Sequence, residues 1–519
     1  MEDNLVILIV PPSDTFRQPE EDLGLGYLSA VLNEKGIDCE IIDGFLSSIE
    51  TEEIKNEILV RKPKIVGFTL YQDSLDSFSE IAKFIKLKVP SAHIAIGGFL
   101  ASFNYEWIFS SFPGLVDSII IGEGEVTFSE LAEKLIAKED WKKTAGLIFE
   151  GSEKPSILKN REKINNLDLL PFPDRPTIRE TIAQKNPVHI SCSRGCYGDC
   201  SFCSVNSFGR LNSGEKWRGR SIKNIVDEIE EVSLNYGATY FKFVDDCFFP
   251  PDDKGKRAEE LCKELNKRKL KINFRMSCRA DDVDKKTFRL LRDHGLFSVS
   301  LGVESIIPRQ LKEWRKGTTP KQNISAVEIC SELGIIVQMG YIMLDKDSTI
   351  EELKLHLNFL QKYDYVITKG IYSCVFAAEG TDLTEEYIKG TNVKKKGINL
   401  EYRFKSKAVS EIASALKKWN KSYGDIYHWA IDSLSAPKAI SGQEREEIHK
   451  TVMLLKRKEL FLLESLIQLY EKGDIDLVDS YINQKIIENR SFFTSVKNDL
   501  VDFYEKANLP YKKGINPYL

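Results

Sequence analysis

Ten cysteines occur in the 519 residues, and four of them, Cys192, Cys196, Cys200 and Cys203, fall in the run His189-Ile-Ser-Cys-Ser-Arg-Gly-Cys-Tyr-Gly-Asp-Cys-Ser-Phe-Cys203. The last three form Cys-x3-Cys-x2-Cys. Soft thiolate ligands suit iron–sulfur clusters, and three of them on one short loop can hold three irons of a cubic 4Fe-4S cluster. The fourth iron is then open to an outside ligand. A structural zinc site is the competing assignment, but closed zinc sites use paired Cys-x2-Cys or Cys/His units and no second pair follows nearby.

The Cys196–Cys203 spacing, with the aromatic Phe202 just before the third cysteine, resembles the cluster loop of the radical S-adenosylmethionine (SAM) enzymes. The wider run Ser-Arg-Gly-Cys-Tyr-Gly-Asp-Cys-Ser-Phe-Cys-Ser looks like the subgroup that carries a cobalamin-binding domain ahead of the radical domain. The elements that must position such a loop follow from the rest of the chain.

A chain of this length holds about two to four domains. With 42% hydrophobic and 29% charged residues it buries ordinary globular cores. A net charge of −5 gives no bulk attraction for phosphate backbones, so nucleic acid is not an expected partner. No apolar run approaches about 18 residues, and Met-Glu-Asp-Asn lacks the basic region of a signal peptide, so neither a membrane span nor export is expected. Clustered cysteines favour a metal centre in a reducing cytoplasm over a disulfide framework. The six histidines are scattered singly and form no helical metal pair.

Residues 1–140 alternate strand and helix. Apolar runs at 5–10, 37–42, 64–69, 93–96 and 118–121 read as strands of a doubly wound parallel α/β sheet, with helices at 24–35, 52–61 and 77–88. Ligands of such sheets bind beyond the carboxyl ends of the strands, where glycine lets backbone approach closely. Thr69, Gly97-Gly98 and Gly122-Glu123-Gly124 occupy those ends. Leu23-Gly-Leu-Gly-Tyr-Leu, Ile96-Gly-Gly and Ile121-Gly-Glu-Gly-Glu are similar to the cobalamin-binding domain of the same subgroup, which makes these six residues the expected cobalamin contacts. The Asp-x-His-x-x-Gly signature that supplies an axial histidine in cobalamin mutases is missing; Tyr71-Gln-Asp-Ser-Leu-Asp stands in its place.

Residues 141–187 read as a linker. Stretches 145–150 and 156–159 are placed to form a small hairpin, and Leu170-Pro-Phe-Pro-Asp-Arg-Pro176 is too proline-rich for a helix or central strand. From 188 to 385 a second alternation begins, with strands at 188–191, 240–244, 271–275, 298–303, 335–342 and 371–375. Ser221 and Thr349 cap intervening helices, the latter in a capping box with Glu352. Six strand–helix repeats fit an open, partial (β/α)6 barrel of TIM type, whose chemistry gathers at the carboxyl ends of the strands. The cluster cysteines, Asp245-Asp246, Arg279, and Ser300 with Glu304 lie at successive ends. The resemblance gives them roles in SAM binding. Asp245-Asp246 would grip the methionine ammonium, Glu304 would accept from the ribose, Arg279 would hold the carboxylate, and Phe202 would lie beside the adenine. Met339-Gly-Tyr departs from the family's glycine-and-proline turn. Trp217-Arg-Gly-Arg220 resembles the subgroup without an evident role.

Residues 386–519 are expected to form a helical C-terminal domain, with Leu455, Leu462, Leu466 and Leu469 on one buried stripe. The resemblance, which covers about residues 5–385, implies a cytoplasmic enzyme that cleaves SAM reductively. A flavodoxin or ferredoxin-type donor would supply the electron, and the resulting radical takes hydrogen from an unactivated carbon. With cobalamin it implies methylation of a carbon in a small-molecule or peptide substrate of a biosynthetic pathway. Two alternatives stand beside it. One is a radical rearrangement, dehydration or epimerisation with the cobalamin domain empty or auxiliary, for which Cys247, Cys278 and Cys374 are candidate hydrogen-atom donors. The other is a non-enzymatic iron–sulfur or zinc protein, against which the strand-end acids weigh.

Overall fold

The structure, a computed structural model, describes residues 4–13, 20–152, 161–363, 365–368, 370–390, 393–396, 399–435 and 442–506. β1 (Val6–Val10) is a run of five buried aliphatic residues, which requires cover on both faces of its sheet. The cover comes from helices Leu23–Glu34, Thr51–Arg61, Leu75–Lys88, Phe99–Ser111 and Glu125–Ala137, which alternate with β2 (Cys39–Asp43), β3 (Ile65–Thr69), β4 (His93–Gly97) and β5 (Ser118–Ile120). The order is β2-β1-β3-β4-β5-β6. β1 to β5 are parallel, and β6 (Leu147–Ile148) pairs antiparallel with β5. Stretch 145–150 therefore closes the edge of this sheet, where a local hairpin was expected; its proposed partner, 156–159, lies outside the described residues.

The proline-rich stretch runs between the two sheets. Asp174 accepts hydrogen bonds from Ser29 and Asn33, each 2.7 Å. Arg175, buried, forms ion pairs with Glu21 and with Glu228 and donates to the carbonyl of His189 at 2.7 Å.

The second sheet begins at β7 (Val188–Ile190). A two-residue ribbon, β8 (Ser193–Arg194) against β9 (Arg218–Gly219), follows the first strand. The sheet continues through β10 (Tyr240–Phe243), β11 (Asn273–Arg279), β12 (Leu296–Glu304), β13 (Ile336–Tyr341) and β14 (Ile367–Thr368), all parallel in the consecutive order of an open barrel. The sixth strand is displaced from the expected 371–375. Ile367 and Thr368 pair with Gln338 and Met339, and Gly370 (φ 97°) then turns the chain away. The Ile371 N–H donates to Glu459 of the C-terminal region, and the run keeps only an isolated bridge, Cys374 with Leu344, just past β13.

A short antiparallel ribbon, β15 (Val393–Lys396) and β16 (Asn399–Tyr402), interrupts the expected all-helical tail. Helices Lys407–Ser435, Gly442–Glu471 and Val478–Lys506 follow. Leu455, Leu462 and Leu466 are buried in one apolar core with the barrel. Two polar side chains pin this tail. Lys456, fully buried, donates to the carbonyls of Tyr363 (3.0 Å) and Val366 (2.8 Å). Glu459 is also buried, and burial pushes its carboxyl up to about 7.

Lys456→Ala strands two buried carbonyls at about 1–3 kcal/mol each, so denaturant unfolding should show a loss of about 2–5 kcal/mol. Glu459 binds its proton more tightly folded than unfolded. Its contribution is therefore intact at low pH and lost as pH rises from the ordinary 4.5 through about 7. Glu459→Gln lacks this titration and should gain on the order of 3 kcal/mol relative to the wild type between pH 4.5 and pH 8. Parallel pH profiles of the two proteins would contradict the assignment.

Candidate active site

Two cavities meet where the sheets face each other. The first, about 410 Å³, lies beyond the carboxyl ends of β3, β4 and β5, and Thr69, Gly97, Gly98, Gly122, Glu123 and Gly124 all line it. Its opposite wall comes from the barrel, through Ser191, Arg194, Gly195, Val205, Phe208 and Asp246. A Cβ at Gly97 would meet nothing nearer than Ile120 at 3.8 Å, so this glycine leaves open space. Gly98 (φ 92°) and Gly122 (φ 78°) hold left-handed backbone, and a Cβ at Gly122 would overlap Asn212. No histidine lines the cavity among the described residues. Where an axial histidine was looked for, the Tyr71 hydroxyl donates to Asp22 at 3.2 Å. Glu123 reaches the wall with its carboxylate already committed to Arg218 and Arg194. This places Arg218 of the Trp217–Arg220 segment in the interdomain contact, while Arg220 pairs with Glu228 and Trp217 donates to the Cys247 carbonyl at 2.8 Å.

The second cavity, about 560 Å³, lies inside the barrel and is lined by Cys196, Cys200 and Cys203 together with Phe202, Asp246, Arg279, Ser300 and Glu304. No three His, Cys, Asp or Glu side chains among the described residues converge as ligands of one ion. Three thiols on one cavity wall are the donor set that a 4Fe-4S cluster takes from the protein. Hydrogen bonding with the Cys247 thiol outweighs burial, and with the Gly198 N–H, Arg279 and Lys316 it draws the Cys196 thiol down to about 7. Burial raises Cys200, against the pull of Lys316 and Arg279, and takes Cys203 to about 11. Cys192 is fully buried and lines neither cavity.

The two adjacent aspartates, expected to act together, have separate places. Asp245 is buried beneath the cluster loop, accepts from the N–H groups of Cys192 (2.7 Å) and Ser193 (2.8 Å), and is pushed up to about 7 by burial. It lines neither cavity. Asp246 lines both, accepts from the Gly195 N–H at 3.2 Å, and burial takes it to about 6. Both lie just past β10, which ends at Phe243, and the split arises in this turn, where Asp245 takes up the backbone of the segment 192–193. Arg279 ends β11 with both carboxylate oxygens of Asp281 at 2.9 and 3.1 Å and the Lys316 carbonyl at 2.8 Å. Glu304 ends β12 at a register shift, with φ 62°, and Lys316 stands 3.3 Å from its carboxylate. Phe202 packs edge-on to Trp314 at 5.8 Å. Met339 and Gly340 reach the cavity despite their departure from the familiar turn. Lys316 escaped the sequence reading; a lysine just before Gly317, after the helix that follows the fourth strand, is the only local signal.

The three candidate donor thiols separate as well. Cys278 lines the barrel cavity. Cys247 is turned toward the Phe249 carbonyl (3.5 Å) and Asp282 (3.4 Å), and Cys374 sits beyond the last strand beside Tyr372 and Tyr402. Neither lines the cavity.

Residues 190–360 match the radical SAM superfamily and residues 12–132 the B12 binding domain. The chain thus carries a radical SAM domain behind a B12-binding domain. It is 28% identical over 367 residues to an uncharacterized methyltransferase of Pyrococcus horikoshii, covering 69% of this chain and 78% of that one. It is 28% identical over 381 residues to the 4'-phospho-dehydrooxetanocin synthase of Priestia megaterium, covering 68% of this chain but only 50% of that longer protein. Among solved structures it resembles the cobalamin-dependent SAM radical enzyme OxsB with aqua-cobalamin bound. The TM-score is 0.78 at 22% identity over 99% of this chain and 82% of that one. No helix among the described residues is long and apolar enough to cross a membrane.

Alanine at Cys196, Cys200 or Cys203 should each abolish iron loading, and alanine at Cys192 should leave it intact; the reverse pattern would refute the ligand set. Gly97→Leu should lower cobalamin content with the iron content unchanged. Gly122 is the poorer probe, because its substitution disturbs Asn212 and the domain contact as well.

Proposed function

We propose that this enzyme methylates an unactivated carbon of a small-molecule or peptide substrate. The observation that carries the reading is the shared wall: Asp246 and Val205 line both the glycine-edged cavity and the thiol-lined cavity. Cofactors held in the two would face one space. Bound there, the cluster with SAM supplies a radical that removes hydrogen, and cobalamin supplies the methyl carrier. The protein's share is holding and orienting. Cys196, Cys200 and Cys203 hold the cluster. Asp246 accepts from the SAM ammonium, with Arg279 toward the carboxylate, Ser300 and Glu304 toward the ribose, and Phe202 beside the adenine. Thr69, Gly97, Gly98, Gly122, Glu123 and Gly124 would receive cobalamin, and no histidine lines that cavity among the described residues. A flavodoxin or ferredoxin-type protein is the electron donor this reading requires, in a cytoplasmic setting.

One observation bears on the alternative of a radical reaction without methyl transfer: of the three candidate donors only Cys278 is among the residues lining the barrel cavity, although it also packs in the apolar core. Cys278→Ala that stops turnover but keeps SAM cleavage would favour it.

Anaerobically purified protein should contain both iron and cobalamin, and bound cob(II)alamin should give an electron paramagnetic resonance spectrum without histidine-nitrogen splitting. Product formation should consume two SAM, one released as 5′-deoxyadenosine and one as S-adenosylhomocysteine. An unmethylated product formed with deoxyadenosine would overturn methylation and leave the family assignment standing. Asp246→Asn removes a charge-assisted contact worth about 1.5–3 kcal/mol and should weaken SAM binding by roughly 10- to 100-fold.

A further inference from the structure

The barrel cavity contains charged groups that the cluster and SAM do not use. Lys242 on β10 and Arg275 on β11 are cross-strand partners, and both line the cavity. Like charges directly opposite on neighbouring strands destabilise a sheet unless they are compensated. Lys242 is compensated by an ion pair with Glu20, whose carboxylate also lies 3.4 Å from His189. Asp432, from the tail helix, lines the same cavity, and its field also reaches Lys242. Arg275 has no ion pair among the described residues; its Nη2 donates to Gln338 at 2.8 Å. One amide oxygen uses a small part of what a guanidinium can donate. Arg275 stands four residues before Arg279 on the same strand and the same side, so it lies about 13 Å deeper in the barrel than the proposed SAM carboxylate contact.

We propose that Arg275 anchors an anionic group of the substrate, a carboxylate or a phosphate, by paired hydrogen bonds from its planar fork. The proposal rests on the reading of the barrel cavity as the substrate site and adds the class of substrate that enters it. Glu20 then has a definite part: it neutralises Lys242, so that the arginine is the cation left for the ligand.

The test is calorimetric titration of the cluster- and cobalamin-loaded enzyme with inorganic phosphate and, separately, with acetate. At least one anion should saturate a single site, and Arg275→Gln should weaken that binding tenfold or more. Saturation by phosphate alone assigns a phosphate group, and by acetate alone a carboxylate. Iron and cobalamin contents report whether the variant is folded, and Arg275→Lys, which keeps the charge but not the fork, serves if the glutamine variant is not. A lysine variant that binds as tightly as the wild type overturns paired recognition. Absence of saturable binding by the wild type, or equal binding by Arg275→Gln, overturns the anchor. SAM cleavage by the same wild-type sample tests the enzyme class separately, so the two failures are distinguishable.

Discussion

The active arrangement depends on buried arginine–glutamate pairs that hold two separately built sheets in one relative position. Arg175 joins Glu21 of the amino-terminal domain to Glu228 of the barrel. Arg194 and Arg218, flanking the cluster loop, reach back to Glu125 and Glu123. Buried ion pairs are poor sources of net stability, because desolvation offsets most of the attraction, but their geometry is demanding. Here that geometry is what brings Asp246 and Val205 into the walls of both cavities. An apolar interface of equal area would tolerate sliding, and the two sites would lose their common opening.

Within the barrel the same logic operates at shorter range. Asp245 accepts two successive backbone N–H groups at the start of the cluster loop, and the buried Cys192 carbonyl receives Arg220 N–H and Arg257. The loop is thus anchored by its backbone, and its three outer cysteines line the barrel cavity. Asp245 carries a desolvation cost for this, visible in its raised pKa. The adjacent Asp246 is exposed and turns its carboxylate to the two cavities.

The tail contributes through chemistry that its helical stripe does not announce. Lys456 and Glu459 sit among apolar neighbours and take up backbone groups at the end of the barrel sheet, where the chain leaves β14. A partial barrel has an unpaired last strand, and unpaired backbone groups must find partners when buried. These two side chains supply them, and the helix before them brings Asp432 to the cavity wall.

The sequence by itself determined the local chemistry and the element order. The thiol spacing, the five aliphatic runs with glycines at their ends, and the capping residues are short-range signals, legible because period and capping act over a few residues. The six glycine-region residues were found at one cavity for the same reason: strand ends in a doubly wound sheet share one edge. Tertiary structure decided what depends on pairing at long range. The run 371–375 has strand composition, yet its Ile371 N–H goes to Glu459 of the tail and it meets the barrel chain only at an isolated bridge between Cys374 and Leu344. Asp245 and Asp246 are identical in type, and only the turn past β10 and the packing of Asp245 under the loop tell them apart. Glu123 is claimed by arginines about 70 and 95 positions away. Lys316 gains its meaning from the Glu304 carboxylate beside it, and Arg275 from having only the Gln338 amide among the described residues, and both follow from pairing between strands far apart in the chain.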